Sequence, residues 1–73
     1  MKKSDKFKGY EVYNDYTIKF WQQSDGKYYA TVLYESDTDA EVIHETNPQL
    51  NSGMAKNIAV RAAKKHEQEL KSR

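Results

Sequence analysis

The sequence predicts an α+β domain in which a three-stranded antiparallel sheet is followed by one C-terminal α-helix packed on one face, a β-β-β-α order. Three observations predict it. Two β-rich runs flank Ser24-Asp25-Gly26-Lys27, and Asp-Gly between alternating apolar runs is the strongest short-range hairpin signal a sequence carries. A third β-branched run, residues 40–46, follows a polar turn. Over residues 54–71 the apolar period then lengthens from two to about 3.6 residues, as in a helix with one buried side.

The elements follow in chain order. Residues 1–9 carry Lys2, Lys3, Lys6 and Lys8 and read as a flexible basic tail, solvated or serving as an electrostatic arm. Residues 10–73 read as a single small domain. Tyr10-Glu11-Val12-Tyr13 alternates well enough for a short extra N-terminal strand, and Asn14-Asp15 interrupts it with turn chemistry. The alternative is that this segment, with Phe7, Tyr10 and Val12, folds over one sheet face.

With Asp25-Gly26 as a two-residue turn, Gln22 opposes Tyr29, Phe20 opposes Thr31 and Ile18 opposes Leu33. Trp21 then opposes Ala30, Lys19 opposes Val32, and Thr17 opposes Tyr34. Opposed residues share a face. One side therefore carries Ile18, Phe20, Tyr29 and Leu33, and the other Lys19, Trp21, Tyr28, Ala30, Val32 and Tyr34.

Beyond the third strand, Asn47-Pro48 ends the sheet, since proline cannot donate to a ladder. The helix is expected after Asn51-Ser52-Gly53, capped by Asn51 or Ser52, because Gly53 would weaken a helix interior by about 1 kcal/mol. At 100° per residue, Ala55, Ile58, Ala59, Ala62, Ala63, His66 and Leu70 share one side. Lys56, Asn57, Arg61, Lys64, Lys65, Gln68 and Lys71 share the other. An alanine stripe lets the helix approach the sheet closely, so the strands must supply the bulk, with Ile18, Phe20, Leu33 and Ile43 as candidates.

Bulk properties narrow the function. A chain of 73 residues buries only about 60% of its unfolded surface. It has no cysteine, which removes disulfides, cysteine zinc sites and thiol nucleophiles. A cytoplasmic location is expected: Ser4-Asp5-Lys6 follows the basic start where a signal peptide would turn apolar, and no run is long enough to span a membrane. Net charge is +1, but Glu35, Asp37, Asp39, Glu41 and Glu45 form an acidic middle between two basic ends.

No catalytic set emerges. His44 lies beside Glu45, but neighbours on a strand point to opposite faces, and His66 falls in the apolar helix stripe as a partly buried, satisfied histidine. Asp37-Thr38-Asp39-Ala40-Glu41 lacks the glycine and closing glutamate of a calcium loop. No metal, cofactor or small-molecule substrate is expected, and an enzyme is not.

Two surfaces remain. Lys19, Trp21, Tyr28, Val32 and Tyr34 would form an aromatic sheet face, a candidate protein interface or dimer seam. Lys56, Arg61, Lys64, Lys65 and Lys71 form a basic helix face, either simply solvated or a candidate nucleic-acid site. The leading expectation is a non-enzymatic protein-interaction module, an accessory or inhibitor-type protein, docking a partner or a second copy on the aromatic face or a strand edge. The alternative is a nucleic-acid-binding module using the helix. The acidic middle and near-zero net charge favour the first.

Ala55-Lys56-Asn57-Ile58-Ala59-Val60-Arg61-Ala62-Ala63 behind three strands resembles the C-terminal half of a double-stranded-RNA-binding domain, over roughly residues 28–70. That resemblance implies phosphate contacts from the start of the helix, with Lys56 at the one matching basic position. Ser52-Gly53-Met54 stand where the family has a lysine pair, and the family's first helix is absent. The order is also similar to AP2-type and integrase arm-binding domains, which read DNA with basic strands. Here the third strand carries Glu41 and Glu45.

Overall fold

Asn14 at φ 51 and Gly26 at φ 88 are the two left-handed corners around which the first three strands fold. The computed structural model describes residues 5–35 and 39–72. It contains β1 (Lys6–Tyr13), β2 (Tyr16–Gln22), β3 (Tyr28–Glu35), β4 (Ala40–Glu45) and α1 (Ser52–Lys71). The strands form one antiparallel sheet in the order β1-β2-β3-β4. α1 lies across one face, mainly over β3 and β2. The expected β-β-β-α core is present, and the extra N-terminal strand is a full member of the sheet.

That strand corrects two expectations. Lys6, Phe7, Lys8 and Gly9 belong to β1, so the stretch expected as a tail is partly in the sheet, while residues 1–4 lie outside the described residues. The segment with Phe7, Tyr10 and Val12 does not fold over a sheet face; it adds an edge. Asn14 and Asp15 link β1 to β2 with Tyr13 paired to Tyr16, and asparagine tolerates the left-handed conformation better than most residues. A register shift between Phe7 and Tyr10 coincides with Gly9 at φ 106, a bulge that only glycine adopts readily.

The β2–β3 turn departs from expectation by one residue, with large consequences. Gly26 N–H donates to the Gln23 carbonyl at 3.0 Å, and Gln23 N–H donates to the Lys27 carbonyl at 2.8 Å. The loop is thus three residues, Ser24-Asp25-Gly26, with Gly26 at its left-handed end, the second common hairpin geometry. Asp25 Oδ1 adds an acceptor for Lys27 N–H at 3.0 Å. The observed pairs are Ile18 with Val32, Phe20 with Ala30, Trp21 with Tyr29 and Lys19 with Thr31. Because side chains alternate, a slip of one residue turns all of β3 over relative to β2.

The core therefore differs from expectation on β3. Tyr16, Ile18 and Phe20 face the helix from β2, with Ala30 and Val32 from β3. Ala55, Ala59 and Ala63 meet them, each fully buried. Small residues on both sides let α1 sit close over β3, and β2 supplies the bulk. Tyr29 and Leu33, expected under the helix, lie on the opposite face.

β4 reaches past its last residue through Thr46, which is buried and closes two bonds with Ala30. Its N–H donates to the Ala30 carbonyl at 2.9 Å, and its Oγ1 accepts from Ala30 N–H at 3.0 Å. The chain then steps around Pro48, and Tyr28 and Gln49 exchange both backbone bonds. Asn51 caps α1 by accepting from Met54 N–H through Oδ1 at 2.9 Å, as expected.

Candidate functional site

The observed register builds the outer sheet face, opposite α1, as three cross-strand rows. Val12, Thr17, Leu33 and Val42 form one; Tyr10, Lys19, Thr31 and Glu45 the next; Phe7, Trp21 and Tyr29 the third. Two apolar rows flank a polar one. Phe7, Tyr10, Val12 and Val42 are 52%, 63%, 66% and 58% exposed. Among the described residues, no element packs on this face.

The aromatic row is ordered by ring contacts. Phe7 meets Trp21 edge-on with centroids 5.2 Å apart, and Trp21 stacks on Tyr29 at 6.4 Å. Tyr29 is buried, and its hydroxyl donates to Asp5 Oδ2 at 2.6 Å. Burial, with help from that bond and the Asp5 charge, pushes the Tyr29 phenol well above its ordinary pKa. Trp21 Nε1 is buried with no acceptor among the described residues, a cost of about 1–3 kcal/mol that nothing in the structure explains.

This register splits the expected aromatic patch. Lys19 and Trp21 lie on the outer face, but Tyr28, Val32 and Tyr34 point to the helix side. Val32 is fully buried, and Tyr28 and Tyr34 pack against the core. Their places on the open face are taken by Phe7, Tyr10, Val12, Leu33 and Val42. One signal for this stood in the sequence: Ala30 and Val32 are small, like the alanine stripe they meet, whereas Tyr29 and Leu33 are too bulky for so close an approach.

The basic helix residues are exposed but do not act as one strip. Lys56 turns toward β1 and pairs with Glu11 at 2.9 Å, both side chains 49% exposed. A pair this wet contributes at most about 1 kcal/mol. Arg61, Lys64, Lys65 and Lys71 have no ion pair among the described residues.

The helix side holds a further polar cluster. Tyr16 Oη and His66 Nδ1 are 2.8 Å apart, and the rings of Tyr34 and His66 are 5.1 Å apart. Burial raises the Tyr16 phenol pKa, with the Glu67 carboxylate adding to the effect. His66 is thus hydrogen-bonded, as its place in the apolar stripe suggested. His44 reaches the same groove between α1 and β4. The bulge between Val32 and Leu33 turns it there, a placement that strand alternation alone does not foresee.

Among the described residues no grouping of histidine and acidic side chains could hold a metal ion, and no helix is long and apolar enough to cross a membrane. Asp37, part of the acidic run, lies outside the described residues. No protein-family model, curated protein or solved structure matches the chain.

Proposed function

We propose that this chain is a non-enzymatic protein-interaction module whose open sheet face docks on a second copy of itself. The single observation that carries the reading is the row pattern of that face. A two-fold axis parallel to the strands sets each row against the same row of the second copy, with strand order reversed. Val12 then meets Val42 of the other copy, Trp21 meets Tyr29, and Lys19 meets Thr31. Apolar rows meet apolar rows, and Lys19 avoids its own image. An axis across the strands would oppose Lys19 to Lys19, a like-charge contact that disfavours it.

Size sets the expected affinity. Four strands about 4.8 Å apart and some 20 Å long give a face of roughly 400 Å². A standard interface covers about 800 Å² per partner, so the dimer is weak and concentration-dependent. The open edges are poorer docking sites: β1 carries Lys6, Lys8 and a bulge, and β4 is short, bulged and bears Glu41 and Glu45.

The experiment uses the absence of cysteine. In a Val12→Cys/Val42→Cys variant the two positions sit on opposite edges of one sheet, about 14 Å apart, too far for an internal bridge. Mild oxidation is expected to yield a covalent dimer. Sedimentation of the wild type should show mass rising with concentration, and Val12→Glu/Val42→Glu should abolish it. A wild type that stays monomeric at NMR concentrations defeats the reading.

A second reading, nucleic-acid binding by α1, is supported by the exposed Arg61, Lys64, Lys65 and Lys71. Salt-titrated binding to duplex and single-stranded RNA and DNA, with Lys64→Glu/Lys65→Glu as control, tests it. No binding at low salt rejects it.

A further inference from the structure

We propose that the groove between α1 and β4 binds an acidic, amphipathic peptide segment of a partner protein. This is a separate site from the open sheet face and does not depend on dimerisation. The groove encloses about 390 Å³. Its floor is Ile43 from β4 with Ile58 and Ala62 from α1, and its rim carries Arg61 and Lys65.

The groove exists because of how the helix packs. The alanine stripe seats α1 over β3 and β2, so β4 receives little of it. Ile43 and Ile58 are left half-buried, with an apolar flank open to solvent. The two histidines of the chain, far apart in sequence, both reach this space. His66 Nδ1 is engaged with Tyr16, which fixes the ring at the groove wall.

Charge selects the occupant. Arg61 and Lys65 have no ion pair among the described residues, and Glu69 is the one acid lining the groove. Glu41 sits further along β4, paired across to Tyr34. Carboxylates on a bound segment would meet Arg61, whose planar fork suits them, while apolar side chains would cover Ile43 and Ile58. A nucleic acid would engage Lys64 and Lys71 as well and would leave the floor unused. From Ile58 to Glu69 the helix rises about 16 Å, the length of about five extended residues. An extended segment also alternates its side chains, as a charged rim above an apolar floor requires.

The probe is a fluorescein-labelled peptide of about five residues, alternating leucine and glutamate. Anisotropy should show binding that Arg61→Glu/Lys65→Glu weakens by about tenfold or more. Both side chains are exposed, so an unchanged thermal melt separates this loss from unfolding. NMR shifts should concentrate at Ile43, Ile58 and Ala62. Val12→Glu/Val42→Glu should leave the affinity unchanged, which separates this site from the open sheet face. The proposal is overturned by no binding, by equal binding of an all-glutamate peptide, or by shifts centred on Lys64 and Lys71 with displacement by a DNA duplex.

Discussion

Tyr16 Oη and His66 Nδ1, 50 residues apart in the chain, meet at 2.8 Å and join the start of β2 to the last third of α1. Tyr16 is almost fully buried, so its hydroxyl has few other partners. Tyr16→Phe should cost about 1–2 kcal/mol by leaving the imidazole nitrogen unsatisfied. In a domain of this size each kcal/mol lowers Tm by roughly 4–8 °C. Thermal melts of Tyr16→Phe, His66→Ala and the double variant form a cycle, and additive losses would show that the bond contributes nothing.

Alkaline pH should destabilise the fold through Tyr16 and Tyr29. Both phenols have folded pKa values raised above the unfolded value of about 10. As pH rises past that value the unfolded chain loses protons that the native state keeps, so unfolding releases protons and stability falls. Their contribution is complete below about pH 10 and disappears as pH rises through the folded values. Urea midpoints measured between about pH 9 and pH 11 should decline, and the slope should be shallower in Tyr29→Phe. Equal slopes would contradict the assignment.

Deleting Ser24 should be tolerated although it shortens the β2–β3 loop. Gln23 then faces Lys27 across the two-residue turn that Asp25-Gly26 can also make, so the pairs from Gln22 with Tyr28 onward keep their register. A native-like NMR spectrum and a cooperative melt are expected. Loss of dispersion would mean that the three-residue loop itself is needed to hold the register.

Ala59→Leu tests the close approach of α1. Ala59 is fully buried against the sheet, so the added volume forces the helix outward at about 1–3 kcal/mol. Urea denaturation should give a lower midpoint with an unchanged slope. A neutral result would mean that space remains above Ala30 and Val32.

Much of the fold was legible because its signals are local. The hairpin announced itself in Asp25-Gly26, the helix in its alanine period, and the cap in Asn51, since each depends on residues close in sequence. The register did not announce itself: Gly26 takes the same left-handed conformation in a two-residue and a three-residue loop. The candidate surface inherited that ambiguity, which is why Tyr28, Val32 and Tyr34 exchanged faces with Tyr29 and Leu33.

β1 was half visible for a different reason. Tyr10-Glu11-Val12-Tyr13 alternates, but Lys6-Phe7-Lys8-Gly9 looks like a tail until a bulge at Gly9 lets it continue along β2. The convergence of His44, His66, Arg61 and Lys65 had no sequence signature, because it depends on how far β4 lies from the helix.

By itself, the sequence determined that this protein has strands, then one helix, and a cysteine-free core. Residue type and short-range period are enough for that. Only the tertiary structure decided which side chains face water together. A pleated strand has a period of two, so one residue of register, settled by packing Ala30 and Val32 beneath Ala55, Ala59 and Ala63, reassigns every residue of β3 to a face.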